Sequence, residues 1–262
     1  MKSNQRLTRK KTIRGLETAW IQCGQEQSER PILFFLHGCP DSPETWEPQI
    51  THFEKKFKII VPFARGLHPS ASTKDWRRYT LDAIALDHLE ILRSTDPTGE
   101  KKIILVGHDL GGPQAWRLAE LLKNRLAALI LINGPSLKQM ASRWNQPKQL
   151  LKSWYIAMFQ IPIFAEIVLK FWDKKNVAPF LPHYRTAVKT LPKALRSKPS
   201  LIQVPTLVLW SNQDPYLDIP SQNEFKELVK NPVIRVLEGH HWIHREDPVH
   251  VNRLIENFLE DC

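Results

Sequence analysis

The strongest constraint on the fold of this 262-residue chain is a regular alternation of short apolar runs with helical patterns. Each run is rich in Ile, Val, Leu or Phe and ends in turn or polar residues, which is typical of a strand buried on both faces. The predicted strands are RPILFFLHG, KFKIIVPF, KKIILVGH, LAALILIN, VPTLVLWS and NPVIRVLE. The predicted helices between or after them are TLDAIALDHLEILRST, GPQAWRLAELLKN, SQNEFKELVKN and VHVNRLIENFLED. We therefore predict an α/β fold whose mostly parallel, twisted sheet has helices on both faces, with an antiparallel edge hairpin at LETAWIQCGQ.

The alternation stops after Gly134, where helical and proline-punctuated patterns replace strands until Gln203. We interpret residues 135–203 as a helical cap inserted after the sixth strand. The core would then consist of residues 1–134, including a basic tail over residues 1–14, and residues 204–262.

The predicted cap is both apolar and basic. Residues 153–172 are apolar but interrupted by polar residues and a proline, so we expect a buried helix pair rather than a membrane span. Residues 138–198 carry twelve Lys and Arg against only Glu166 and Asp173, in a chain of net charge +10. We expect a solvated basic face, with attraction of anionic ligands or an acidic membrane surface as the alternative. No nucleic acid partner is expected, because no recognised binding motif accompanies the charge.

The three cysteines are widely spaced and show neither a disulfide framework nor zinc-ligand spacing. The positively charged start of the chain is not followed by the apolar run of a signal peptide. We therefore expect a cytoplasmic protein without a metal or other cofactor. The oligomeric state does not follow from the sequence.

The segment GHDLGG, residues 107–112, lies directly between a predicted strand and a predicted helix. This context is typical of a nucleophile elbow, a tight turn that needs small residues two positions either side of the nucleophile. Gly107 and Gly111 meet that need, and Asp109 stands at the nucleophile position. An ordinary strand–turn–helix junction with Asp109 as the N-cap residue is the alternative.

Other loops after predicted strands supply the partners that a nucleophile requires. Asp214 follows one strand, and His240 and His241 follow the last one, which matches the order nucleophile, acid, histidine. Because parallel strands end at the same edge of a sheet, these side chains are expected to meet there. The backbone N–H groups of Cys39 and Leu110 are candidate oxyanion donors.

These motifs resemble those of the α/β-hydrolase fold, and specifically its epoxide hydrolase branch. The resemblance rests on HGCPDSPETW, GHDLGGPQAW, LINGPS and HWIHREDP, and it runs over nearly the whole chain from about Ile13. It implies that His241, rather than His240, is the catalytic histidine. It also implies that Tyr155 and Tyr184, in the predicted cap, are the two tyrosines that open the epoxide ring. Packing of cap against core is the alternative role for these rings.

The resemblance implies that a small apolar or amphipathic epoxide reacts with water to give a vicinal diol. Asp109 would form an alkyl ester with a saturated carbon, and His241, oriented by Asp214, would activate the water that cleaves it. One departure from the branch is Leu110, which stands where a Trp is usual. Haloalkane dehalogenases commonly use that Trp to hold the halide, so its absence counts against that reaction.

Two alternatives remain open. A haloalkane or haloacid dehalogenase would use the same Asp–His–Asp triad, and a non-catalytic binding protein could share the scaffold. Among the remaining polar residues, His37 and His108 are expected to brace their loops. Asp218 competes with Asp214 for the acid role but is interpreted as a helix-start residue.

Overall fold

The computed structural model describes residues 6–26, 29–143, 146–171, 174–198 and 200–262, with only the backbone of Lys175. Within these residues, eight strands form one sheet in the order β1-β2-β4-β3-β5-β6-β7-β8. The strands are β1 (Leu7–Ile13), β2 (Leu16–Gly24), β3 (Ile32–Leu36), β4 (Lys58–Pro62), β5 (Ile103–His108), β6 (Leu126–Ile132), β7 (Thr206–Ser211) and β8 (Pro232–Leu237). Strands β3 to β8 run parallel, while β2 is antiparallel to both of its neighbours. The predicted mostly parallel sheet is confirmed.

Helices flank the sheet and fill the interval between β6 and β7. They are α1 (Glu47–Phe53), α2 (Leu81–Thr95), α3 (Gly111–Leu122), α4 (Leu137–Ser142), α5 (Pro147–Lys152), α6 (Trp154–Phe159), α7 (Phe164–Phe171), α8 (Leu181–Arg196), α9 (Gln222–Lys226), α10 (Ile243–Glu246) and α11 (Pro248–Glu260). The chain leaves the sheet after its sixth strand and returns to it as β7, as the sequence pattern predicts. We call α4 to α8 the helical insert.

The central strands are buried because helices cover both faces of the sheet. Phe34 and Phe35 are neighbours on β3, and their side chains belong to two different core clusters, as the alternation of a strand requires. Phe34 packs in the cluster that includes Trp116 of α3, whereas Phe35 packs in the cluster that includes Ile50 of α1 and Val251 of α11. Each fully buried side chain of this size contributes about 1.5–3 kcal/mol.

The predicted basic tail over residues 1–14 is wrong where the structure describes it. Residues Leu7–Ile13 form the edge strand β1, which pairs with β2 along its whole length. Arg14 and Gly15 both have positive φ, 50° and 81°, as a two-residue hairpin turn matching the strand twist requires. The positive charges therefore line an exposed sheet edge, where they oppose pairing with other strands. Residues 1–5 lie outside the described residues.

The helix pair predicted over residues 153–172 is present as α6 and α7, but the prediction that it is buried is wrong. Phe171 is 87% exposed and Ile167 is 61% exposed, while Ala165 and Leu169 on the other side of α7 are buried. Helix α7 therefore has apolar residues on two sides. The side with Ala165 and Leu169 is covered, and the side with Ile167 and Phe171 is exposed. Residue 172 lies outside the described residues. In the described parts of the chain, no helix is long and apolar enough to cross a membrane.

Candidate active site

The turn between β5 and α3 has the geometry of a nucleophile elbow. Asp109 adopts φ 49°, a left-handed conformation that is strained for a residue with a side chain. A Cβ at Gly111 would lie 2.1 Å from the carbonyl oxygen of Leu36, and one at Gly107 would lie 2.7 Å from that of Gly111. Both glycines are therefore required by close packing. The N-cap of α3 is Leu110 and no side chain caps the helix, so the alternative role of Asp109 as N-cap is wrong.

Backbone N–H groups donate hydrogen bonds to the Asp109 carboxylate. The Cys39 N–H donates to Asp109 Oδ2 at 2.8 Å, and the Leu110 N–H also interacts with this carboxylate. Burial raises the pKa of Asp109, and the charge of His241 together with the two N–H groups opposes that rise. The Cys39 N–H fixes Oδ2, while Oδ1 is turned toward His241.

Asp214 and His241 form a buried, hydrogen-bonded pair. The His241 Nδ1–H donates to Asp214 Oδ2 at 2.7 Å, and His241 Nε2 lies 3.8 Å from Asp109 Oδ1. Burial acts to lower the pKa of His241, but the hydrogen bond to Asp214 and the charge of Asp109 outweigh it and leave that pKa raised. The 3.8 Å gap is too long for a hydrogen bond and leaves Nε2 facing the carboxylate.

Further donors hold Asp214 in its ionised form. The backbone N–H groups of Tyr216 and Leu217 donate to Oδ1 at 2.8 and 2.9 Å, and Asn133 Nδ2 donates to Oδ2 at 2.5 Å. Burial works to raise the pKa of Asp214, but the hydrogen bond and charge of His241, with these N–H groups, lower it overall. An ionised Asp214 fixes the His241 tautomer that carries its proton on Nδ1.

The other histidines near the last strand are placed away from Asp109. His240 is 64% exposed, and its backbone N–H donates to the Glu246 carboxylate. His244 is fully buried, with its ring centroid 4.4 Å from that of His108 and its Nε2 2.9 Å from Thr45 Oγ1. Of the histidines in this segment, the structure brings His241 to Asp109 and Asp214.

Asp218 is not part of this arrangement. Its carboxylate forms ion pairs with Lys152 at 2.8 Å and Lys148 at 3.1 Å on the helical insert. The interpretation of Asp218 as a helix-start residue is also wrong, because α9 begins after Ser221, which forms a capping box with Glu224. Ser221 and Glu224, and not Asp218, accept the first N–H groups of α9. The Asp218 carboxylate instead pairs with the two lysines.

Tyr155 and Tyr184 meet above the Asp109 carboxylate. Both side chains line a small cavity together with Asp109 and Leu110. Their ring centroids are 6.1 Å apart with the ring planes nearly perpendicular, and Tyr184 is 6% exposed. Burial raises the pKa of each phenol, and the nearby Asp109 charge adds to that rise. Both hydroxyls therefore remain protonated at neutral pH and are able to donate a hydrogen bond.

The bracing roles expected of His37 and His108 are confirmed. The Ala64 N–H donates to His37 Nε2 at 3.1 Å, while the other ring nitrogen lies 3.0 Å from the Gly38 carbonyl oxygen. His108 Nε2 lies 2.9 Å from the His241 carbonyl oxygen. Burial lowers the pKa of His37 to about 4, so its ring is neutral and works as a structural link between loops.

The family model of the alpha/beta hydrolase fold matches residues 31–162 of this chain. The AB hydrolase superfamily protein YfhM of Bacillus subtilis (strain 168) is 30% identical over 266 residues, which cover 90% of this chain and 92% of that protein. This chain belongs to the α/β-hydrolase family. Epoxide hydrolase 4 of Homo sapiens is 27% identical over 286 residues, 94% of this chain and 76% of the human protein.

A solved structure shares the fold of this α/β hydrolase. A crystal structure of a Bacillus megaterium epoxide hydrolase in complex with an inhibitor superimposes with a TM-score of 0.80 at 23% identity. The match covers 96% of this chain and 100% of the other. The resemblance to epoxide hydrolases found in the sequence motifs is therefore confirmed at the level of relatives and fold.

Three residues of this α/β hydrolase site escaped the sequence reasoning. Asn133, at the end of β6 with φ 44°, donates to Asp214 and accepts from Ser211 Oγ at 3.1 Å. Tyr216 places its ring centroid 5.1 Å from that of His241. The third residue is Asp41, whose carboxylate accepts a hydrogen bond from Trp242 Nε1–H. Burial nevertheless raises the pKa of Asp41 to about 6. Asn133 was detectable, because it is the polar residue that ends a predicted strand at the edge where the other site residues lie.

Proposed function

We propose that this α/β hydrolase is an epoxide hydrolase that adds water to a small apolar or amphipathic epoxide and releases a vicinal diol. The observation that carries the proposal is the carboxylate of Asp109 on the elbow, with Oδ2 held by the Cys39 N–H and Oδ1 facing His241. Two protonated phenols, Tyr155 and Tyr184, share its cavity. Relatives named epoxide hydrolases support the same substrate class.

A carboxylate at the elbow suits displacement at a saturated carbon. Attack on an acyl carbon would give a reactive mixed anhydride, whereas attack on an epoxide carbon gives a stable alkyl ester. In the proposed first step, Asp109 Oδ1 forms a bond to one epoxide carbon while the bond from that carbon to the ring oxygen breaks. Tyr155 or Tyr184 gives its proton to the departing oxygen.

In the proposed second step, His241 Nε2 removes a proton from water, and the hydroxide attacks Cγ of Asp109. The oxyanion then develops on Oδ2, which already accepts from the Cys39 N–H, and the Leu110 N–H is the proposed second donor. Collapse releases the diol oxygen, which takes the proton from His241. The proton left on the Asp109 carboxyl balances the one that the tyrosine gave up. Asp214 stabilises the imidazolium throughout.

The arrangement divides the work between two parts of the chain. We propose that residues 135–203 form a cap domain supplying the ring-opening phenols, and that residues 1–134 and 204–262 form a core domain supplying Asp109, His241 and Asp214. Every group that the reaction needs belongs to the chain, so we propose no cofactor. The three free cysteines, and a mechanism that uses none of their thiols, are consistent with a cytoplasmic location.

The test traps the proposed ester. In His241→Gln the first step should proceed and the second should stop, so the intact mass should rise by the mass of the epoxide. His240→Gln is the matched control and should turn over normally, because His240 is exposed and away from Asp109. Styrene oxide and a terminal alkyl epoxide serve as probes, and a chloroalkane of the same chain length tests for dehalogenation. Halide release with no reaction of any epoxide would assign the site to the dehalogenase reaction instead.

A further inference from the structure

The helical insert exposes several large apolar side chains to solvent. The loop from α6 to α7 and the outer side of α7 present large apolar side chains to solvent. They are Ile161 (52% exposed), Ile163 (72%), Phe164 (50%), Ile167 (61%) and Phe171 (87%). We call these residues the hairpin patch. Contiguous apolar surface of this kind on a water-exposed protein marks an interaction site.

The hairpin patch is one stripe rather than scattered residues. Phe164, Ile167 and Phe171 follow one another at i, i+3 and i+7, so they share one side of α7. Ala165 and Leu169 lie on the opposite side and are buried in the insert. The packing of α7 therefore leaves its outer stripe without a partner among the described residues.

The turn before α7 supports a functional role for the patch. Ile163 has φ 68°, a left-handed conformation that is an outlier for a β-branched residue. The chain holds this strained residue with its apolar side chain pointing into solvent, at 72% exposure. Strain of this kind persists where the surrounding structure enforces it, and it clusters at functional surfaces.

A second exposed apolar pair lies on the preceding helices. Leu151 at the end of α5 is 78% exposed and Trp154 at the start of α6 is 58% exposed. Trp154 is the sequence neighbour of Tyr155, so the helix that brings a phenol to Asp109 also presents an indole to the outside. Tryptophan is the side chain that membrane–water interfaces favour.

The charges beside the patch are predominantly positive. Lys170 and Lys174 are exposed on and just after α7. The acidic residue of α7, Glu166, is paired with both guanidinium nitrogens of Arg185. In the sequence, residues 138–198 hold twelve lysines and arginines and two acidic residues. Apolar side chains flanked by lysines are the pattern of an interfacial helix that binds anionic lipid.

We propose that the hairpin patch, with Leu151 and Trp154, docks on an anionic lipid surface. The apolar side chains would enter the boundary between headgroups and acyl chains, and Lys170 and Lys174 would contact lipid phosphates. Docking of a second copy on the same patch is disfavoured by charge, because it would bring two lysine-rich rims together. The sequence alone favoured a solvated basic face, and the exposed apolar stripe beside that face changes this interpretation.

Docking would deliver substrate from the bilayer. A mainly apolar cleft beneath the insert is lined by Leu150 and Ser153 and also by Leu110 and Tyr184. Leu150 is 44% exposed, so the cleft reaches the outer surface next to Leu151. Resting on the proposed function, we infer that the substrates are apolar epoxides that partition into membranes.

The test measures sedimentation of the full chain with vesicles, without substrate, so its outcome does not depend on the proposed reaction. Vesicles of phosphatidylcholine are compared with vesicles that also contain phosphatidylserine, at low and high salt. We expect binding to the anionic vesicles that weakens with salt. Ile167→Glu/Phe171→Glu should weaken this binding more than about tenfold, because two exposed apolar side chains that would enter the lipid are replaced by charges.

Matched variants separate the patch from general effects. Val249→Glu alters an apolar residue that is 78% exposed on α11 and should bind like the wild type. Lys170→Gln should weaken binding about fivefold per charge removed, whereas Lys230→Gln, outside the insert, should not. Equal sedimentation with and without phosphatidylserine, or equal losses in Val249→Glu and the double variant, would overturn the proposal. Dimers in analytical ultracentrifugation that Ile167→Glu/Phe171→Glu abolishes, without vesicle binding, would assign the patch to self-association instead.

Discussion

Asp214→Asn isolates the charge that stabilises the imidazolium of His241 during ester hydrolysis. The Asp214 side chain is 1% exposed and accepts the His241 Nδ1–H at 2.7 Å. With charge centres about 4 Å apart and an effective dielectric constant of about 20, the pair interacts by about 4 kcal/mol. Losing that interaction in the second step corresponds to about a thousandfold slower hydrolysis. The amide NH₂ of asparagine would also face groups that donate hydrogen bonds to Asp214, such as the Nδ1–H of His241. This mismatch would disturb the tautomer of His241 further.

Rapid mixing with intact-mass detection measures the two steps separately. In Asp214→Asn, the ester on Asp109 should form at a rate within about tenfold of the wild type and then persist, because the first step needs no imidazolium. Asp218→Asn is the matched control, since that carboxylate pairs with surface lysines and should change both steps little. If both variants hydrolysed the ester at the same rate, or if no ester accumulated in Asp214→Asn, the role of Asp214 would be refuted.

Further predictions concern ring opening, pocket shape and pH. The double variant Tyr155→Phe/Tyr184→Phe should form the ester from epoxides roughly 10²–10⁴-fold more slowly, which is the range of general acid catalysis. The mass change in a single turnover measures this rate. Ester formation at the wild-type rate would show that neither phenol takes part in the mechanism. Leu110→Trp should lower kcat/KM for bulky epoxides more than for small terminal ones, because it fills the cavity above Asp109; a uniform change would contradict this. Hydrolysis needs neutral His241, so its rate should fall as pH falls through the raised pKa of that residue, and Asp214→Asn should shift this fall to lower pH.

The sheet was predictable because its signal is local. The six parallel strands are continuous apolar runs in the sequence, although β8, at the sheet edge, is only partly buried and not buried on both faces as predicted. Strand β1 was missed because it is an edge strand with exposed charged residues, and its apolar content is too low to distinguish it from a tail. Helix α1, with buried Gln49 and Ile50, was missed because prolines precede and begin it and its pattern spans only seven residues.

The site was predictable in its parts and less so in its connections. Asp109, Asp214 and His241 each follow a strand, so the parallel topology alone brings them to one edge. Asn133 carries a sequence signal because it is the polar residue that ends a predicted strand, whereas Tyr216 acts through a ring contact with His241 that depends on a loop conformation. Burial of α7 was wrongly predicted because apolar composition does not indicate whether a partner surface exists for each side of a helix.

The most direct test of the carboxylate nucleophile is a single turnover in water labelled with heavy oxygen. If Asp109 Oδ1 attacks the epoxide and water then attacks Cγ, the first diol carries an unlabelled oxygen from Asp109. We predict that the label enters the Asp109 carboxyl, found by mass spectrometry of the peptide that contains it, while the first-turnover diol contains little of it. Full label in that first diol, with none in the Asp109 peptide, would show direct attack by water and contradict the covalent mechanism.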